Sequence, residues 1–210
     1  VPQPRLHYER AFESALVRAS VPFVSVAGAK RARLAPGPDH SQTHHHHHQT
    51  QPQAEAGAPT RSLKSFDYCV YTRRRTLLVD VKGRRMPRPG AQPACWITQD
   101  DLDSLETWAS LLTSKSSVTC EAMLAFVHHL PDGACDRWAA GAEPYRDGLY
   151  AIRVIPIEAY RARARQRSPR WATLDLPTGV FQRVSIPLAE ALGDGPGAGS
   201  PRASRAYARA

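Results

Sequence analysis

No apolar run in this 210-residue sequence approaches the roughly 20 residues that a membrane-spanning helix requires. The start, Val1-Pro2-Gln3-Pro4, leads into a charged amphipathic segment without the apolar stretch of a signal peptide. Only four cysteines occur, Cys69, Cys95, Cys120 and Cys135, and no two stand in C-x-x-C spacing. That argues against a thiolate zinc site and for reduced thiols in the cytoplasm. Acidic residues are also scarce: 19 Asp and Glu face 28 Lys and Arg, a formal net charge of +9. An excess of that size calls for a polyanionic partner.

What is present suffices for one domain with a core, since 42% of the residues are hydrophobic. The basic excess is uneven. Residues 161–210 hold nine arginines against three acids, and Arg73 to Arg88 holds seven basic residues against one acid, Asp80. From Ala35 to Thr60 the chain turns to Pro, Gly, Gln and Ser, with five consecutive histidines at His44 to His48. Lacking large apolar side chains, this stretch reads as a disordered insertion in a surface loop. The expected organisation is one domain over 1–160 interrupted at 35–60, a basic appendix over 161–192 and a disordered tail over 193–210.

Periodicity predicts a helix over His7–Arg18, with Leu6, Tyr8, Phe12, Ala15, Leu16 and Ala19 as its apolar stripe. A second helix is predicted over 98–113, opened by a capping-box-like pair, Thr98 and Asp101. Strands are predicted at Val21–Val26, Ser65–Tyr71, Thr76–Lys82, Ala122–Leu130 and Leu149–Ile157. Ala29–Leu34 reads as a helical turn and Glu158–Arg167 as an arginine-rich helix. Arg170–Leu188 reads as an irregular or two-stranded piece turning at Pro177-Thr178-Gly179.

The runs Ser65–Tyr71 and Thr76–Lys82 read as a hairpin, although no Asn-Gly or Asp-Gly marks its turn. A turn centred on Arg73 and Arg74 makes paired residue numbers sum to 147, which sets Asp67 opposite Asp80. Alternation puts Phe66, Tyr68 and Val70 on one face and Leu78, Asp80 and Lys82 together on one face of the second strand. Like charges facing each other across a ladder destabilise it. Two carboxylates with an ammonium two residues on can hold a divalent metal and a water beside it. Solvated charges on an exposed hairpin face would be the bland account, but the apolar flanks point to a central position.

Asp67, a short hairpin, then Asp80-Val81-Lys82 resembles the core motif of the PD-(D/E)XK nuclease superfamily, with Phe66 rather than Pro before the first Asp. The resemblance covers about residues 5 to 130, because a helix bearing a Glu precedes the motif and a helix and strand follow it. His7-Tyr8-Glu9-Arg10-Ala11-Phe12-Glu13 also resembles the pattern that names the bacterial HYExAFE family, which implies no activity. The superfamily resemblance implies a restriction-endonuclease-like α/β core: a central mixed sheet of about five strands flanked by helices. It implies hydrolysis of phosphodiester bonds, in DNA rather than RNA, with Mg²⁺ as cofactor and Mn²⁺ able to substitute. Asp67, Asp80, the Val81 carbonyl and Glu13 would hold the metal, with Glu9 as second choice to Glu13. Lys82 would orient or help deprotonate the attacking water. Arg73, Arg74, Arg75, Arg84, Arg85 and Arg88 would bind the nucleic-acid backbone. Related nucleases often carry a Gln on the following helix, and Gln99 is the candidate here. A homodimer is compatible with this expectation. No segment reads as a base-reading helix, so tight sequence specificity is not expected. The alternative is a catalytically inactive nucleic-acid-binding or RNA/ribosome-associated interaction protein on the same fold.

Overall fold

The computed structural model describes residues 6–26, 31–34, 61–86, 88, 92–115, 117–130 and 141–193. The predicted insertion at 35–60 and all but the first residue of the 193–210 tail lie outside these. In chain order the elements are α1 (Leu6–Arg18), β1 (Phe23–Ser25), β2 (Arg31–Leu34), β3 (Arg61–Lys64), β4 (Tyr68–Tyr71), β5 (Thr76–Arg85), β6 (Ile97–Thr98), α2 (Gln99–Lys115), β7 (Cys120–Leu130) and β8 (Glu143–Tyr145). They continue with β9 (Gly148–Pro156), α3 (Ile157–Arg161), β10 (Arg165–Ser168), β11 (Thr173–Asp175), α4 (Thr178–Val184), β12 (Ile186–Pro187) and α5 (Leu188–Leu192).

A mixed sheet runs through the middle in the order β1-β4-β5-β7-β9-β12, with β8 also paired to β9. The five predicted strands form its body, and β8 and β12 extend it to seven among the described residues. β5 and β7 are parallel, Asp80 beside Leu124 and Lys82 beside Phe126, so the chain must cross over between them, and α2 is that crossover. The β4–β5 hairpin is antiparallel with Tyr68 opposite Val79 and Tyr71 opposite Thr76, the 147-sum register that the arginine turn implies. Helices flank both faces, giving the mixed α/β core that the sequence called for.

Each face is covered by one predicted helix. Ala11, Phe12, Ala15 and Leu16 of α1 pack with Tyr68, Val70, Leu77, Val79, Ala125 and Val127. Burying Phe12 and Leu16 completely contributes about 1.5–3 kcal/mol for each. On the other face Leu102 and Leu105 of α2 pack with Leu78, Leu124, Phe126 and Ile155. α2 starts at Gln99 because Thr98 and Asp101 cap each other: Asp101 N–H donates to Thr98 Oγ1 at 3.1 Å and Thr98 N–H to Asp101 Oδ2 at 2.9 Å.

The structure corrects several expectations. Phe66 packs on the α2 face, with its ring 5.6 Å from that of Trp108, while Tyr68 and Val70 lie on the α1 face. The strict alternation fails because the chain bends at Asp67, where Asp67 N–H donates to Val79 O and Val26 N–H to Asp67 O. Arg31–Leu34 is a strand, β2, not a helical turn. The predicted 158–167 helix stops at Arg161, and Arg165–Ser168 forms β10. The arginines at 163, 165 and 167 alternate with a period of two, which suits a strand as well as arginine suits a helix. Pro177-Thr178-Gly179 opens α4 instead of turning, since proline is tolerated at a helix start. Residues 161–192 share the core: Phe181 is fully buried with Phe126 and Tyr160, and Ile186 pairs with Val154.

β2 and β3 pair Leu34 with Arg61, so the two ends of the intervening stretch meet about 5 Å apart. Replacing residues 35–60 with Asn-Gly, a two-residue hairpin turn, is expected to shift the thermal midpoint by no more than about 4 °C, roughly 1 kcal/mol for a domain of this size. A collapse of the midpoint in calorimetry would show that the stretch is structural.

Candidate active site

Five charged side chains meet where β5 passes under the start of α2. Asp80 and Lys82 stand two residues apart on the α2 face of β5, and Lys82 Nζ lies 2.6 Å from Asp80 Oδ2 and 3.1 Å from Asp101 Oδ1. Lys64, at the end of β3, pairs with the same Asp101 oxygen. Asp67 closes the group from the bend before β4. Its Oδ2 accepts the Val81 N–H at 2.6 Å, taking the place of the backbone that β4 withdraws there. The Asp67 charge reaches Asp80 and raises its carboxyl. Asp80 and Asp101 are only 8% and 6% exposed, which is why their pairing matters energetically. A narrow cleft lined by Lys64, Ser65, Phe66, Asp80, Asp101, Ser104 and Leu105 leads onto them.

The charge balance explains the titration behaviour. Three carboxylates against two ammonium groups leave this cluster one negative charge in excess. Asp101 resists the upward push of burial, because Lys82, Lys64 and the Thr98 N–H hold its carboxyl well below the usual range. Asp80 is left with the excess: burial, offset only in part by Lys82 and reinforced by Asp67 and Asp101, pushes it up to about 7. Burial also raises Asp67, against the Val81 N–H, Asp80 and Lys82, with the Glu9 charge adding to the rise. Burial pulls Lys82 down, but Asp80 and Asp101 outweigh it and keep the ammonium charged.

Both predicted glutamates are on the sheet-facing side of α1 but do different things. Glu13 accepts a hydrogen bond from the Tyr68 hydroxyl at 3.0 Å. Glu9, first choice to neither motif nor spacing, is the one whose charge reaches Asp67, and its own carboxyl is raised by burial and by Glu13. The approach of α1 depends on Gly83, where a Cβ would sit 2.2 Å from the Tyr8 ring. Next to Tyr8, His7 Nδ1 lies 2.9 Å from the Tyr150 hydroxyl. His7, Tyr8, Ala11 and Phe12 thus seat the helix, from which the Glu9 charge acts on Asp67.

The predicted backbone-binding arginines do not form one patch. Arg73 and Arg74 are exposed at the hairpin tip, and Arg75 beside them pairs with Glu121 at 2.5 Å. Arg85 and Arg88 are exposed beyond the opposite end of the carboxylate pair. Arg84 is tucked inward: its guanidinium lies 4.3 Å over the Trp96 ring and donates to Trp96 O at 2.6 Å. Gln99 donates its side-chain N–H to Asp103. Asp101 and Lys64 are the residues that sequence reasoning missed. The readable signal was an acid on the apolar stripe of α2, four residues before Leu105.

The donor set is that of a hard cation. Both free carboxyl oxygens and the excess negative charge suit Mg²⁺, which binds through one or two carboxylates and keeps several waters. Among the described residues, no three Asp, Glu, His or Cys side chains converge on a ready-made cage. No family model matches the sequence, and no curated protein does. The likeness to the HYExAFE pattern therefore rests on residues 7–13 alone. Among the solved structures similar in chain path is that of Archaeoglobus fulgidus Hjc, a Holliday junction resolvase from an archaeal hyperthermophile, with 16% identity, a TM-score of 0.48, and 89% of this chain and 98% of that chain covered.

The excess charge makes a pH-dependent prediction. A carboxyl raised to about 7 in the folded state contributes stability below its ordinary 3.8, and that contribution is lost as the pH rises through 7. In EDTA at pH 8, Asp80→Asn should therefore stabilise the protein, by on the order of 2 kcal/mol, and the gain should vanish below pH 4. Urea unfolding at the two pH values checks this. A loss of stability at pH 8 would mean that the Lys82 pair outweighs the repulsion.

Proposed function

We propose that this protein is a metal-dependent nuclease that hydrolyses phosphodiester bonds in DNA without tight sequence specificity. The observation that carries the reading is half-buried Asp67 and buried Asp80 beside Lys82, in a cluster of three carboxylates against two ammonium groups. A structural ion pair would be neutralised, whereas this one is poised for a further cation.

Asp67 and Asp80 would hold Mg²⁺ through their free oxygens, with the Val81 carbonyl as the third protein ligand that the superfamily resemblance implies. Glu9, and Glu13 behind it, would hold a water of the metal. The bound ion would supply a water of lowered pKa and polarise the phosphoryl oxygen. Lys82 would place its ammonium against the attacking water, orienting it, or against the phosphate oxygen, offsetting its charge. Asp101 would hold Lys82 charged and aimed, since it shares that ammonium with Asp80. Arg85 and Arg88 at one end, and Arg73 and Arg74 at the other, would contact phosphates without reading sequence.

A second reading, a binding protein on this fold that does not cut, is favoured by one observation: Lys82 already bridges Asp80 and Asp101, and no three-ligand cage is preformed. Cleavage assays separate the two. The nuclease reading expects Mg²⁺- or Mn²⁺-dependent cutting of plasmid or branched DNA, abolished by EDTA and by Asp80→Asn. Lys82→Ala should keep metal binding and lose about 10²-fold in turnover. Metal binding by calorimetry without cutting of any DNA would favour the second reading.

A further inference from the structure

The small sheet β10-β11-β6 carries an unassigned surface. Arg163, Arg165, Arg167 and Arg170 fall within eight residues without one acid between them. Among the described residues none of the four is ion-paired, whereas the neighbouring Arg161 is held at 2.5 Å by both Asp103 and Glu106. Arg165 and Arg167 lie on the edge strand β10, with Arg165 opposite Asp175, and Arg163 and Arg170 flank the strand; so dense a positive surface suits an anion.

Two aromatic rings lie among these arginines. Trp171 is 68% exposed, the most exposed of the large apolar side chains described. It stands at the tip of the β10–β11 turn, with the Arg170 guanidinium 5.3 Å from its ring. The turn is fixed, not loose: Ala172 N–H donates to Pro169 O, Ala172 adopts a left-handed φ of 42°, and its carbonyl accepts the Gln99 N–H at 2.8 Å. Holding alanine in that conformation costs energy, and the cost is met by tying the turn to the start of α2. Arg167 is the extra residue of a bulge: Gln166 pairs with Leu174 and Ser168 with Thr173. A bulge re-aims a side chain, and here it puts the Arg167 guanidinium 5.3 Å over the Trp96 ring.

This surface begins at the candidate site. Lys82 and Arg84 share a face of β5 two residues apart, about 7 Å. The Arg84 guanidinium lies on the same Trp96 ring that Arg167 covers. From there the turn extends the row to Trp171.

We propose that the β10–β11 turn and Trp96 form a binding wing for an unpaired nucleic-acid strand leading to the carboxylate site. The arginines would follow its phosphates and Trp171 would stack on a base. A base within a duplex has no free face for such a ring, so the exposed indole selects single-stranded chain. The proposal rests on the nuclease reading only for the strand's destination; binding itself needs no metal and no cleavage.

The test is done on the full chain in EDTA, by fluorescence anisotropy with a labelled oligothymidylate of roughly 20 nucleotides and a duplex of equal length. Trp171→Ala should weaken oligothymidylate binding roughly tenfold or more and leave duplex binding within about twofold. Replacing Arg165 and Arg170 together with Ala should lower the salt slope for the single strand by about 1.4, two contacts at about 0.7 each. Quenching of tryptophan fluorescence on binding should shrink in Trp171→Ala. Equal losses for duplex and single strand, or no loss for either, would overturn the proposal. So would failure of the wild-type protein to bind oligothymidylate at low salt. Because no metal is present, none of these results depends on whether the protein cuts DNA, and absence of cutting with intact strand binding would sink only the nuclease reading.

Discussion

The unbalanced burial of charge between β5 and α2 is the constraint on which the rest depends. In a low-dielectric interior, an unpaired carboxylate costs several kcal/mol, so each of the three acids must find a donor. Asp101 takes Lys64, Lys82 and the Thr98 N–H; Asp67 takes the Val81 N–H; Asp80 shares Lys82 and is left with the deficit. The start of α2, the end of β3 and the bend before β4 are all held in place by those donors. The same residues that end one element and begin another therefore build the site.

The opposite face of the sheet carries the two glutamates of α1. α1 comes close to β5 because Gly83 leaves room for the Tyr8 ring, and His7 and Tyr150 anchor the helix end. Phe12 and Ala11 bury the middle of the helix. With these contacts set, Glu9 is brought near Asp67 and Glu13 near Tyr68. Packing on one face of the sheet thus determines electrostatics at its centre.

The hairpin register was legible because it depends on local facts: two β-rich runs and a polar four-residue connection. The ladder starts at Tyr68 opposite Val79, and the bend at Asp67 takes the first carboxylate out of it. α1 and α2 were legible through their apolar stripes, and the cap of α2 through Thr98 and Asp101. Asp101 was hidden by that legibility, since an acid at a helix N-terminus already has a role there, and only the fold brings Lys82 and Lys64 to its other oxygen. Glu9 and Glu13 differ by one helical turn and lie on the same helix face, so periodicity does not distinguish them. Phe66 was misplaced because a bend breaks period two. The arginines at 163, 165 and 167 suit the end of a Glu158–Arg167 helix by propensity, whereas β10 is held by β11, which pairs on its other side with β6, a contact distant in sequence.

The most direct test of the account is anomalous diffraction from crystals soaked in Mn²⁺. The account predicts a peak bound by the Asp67 and Asp80 carboxylates, with Lys82 retained on Asp101. Crystals that diffract well but show no peak there, with Lys82 still bridging Asp80 and Asp101, would contradict it.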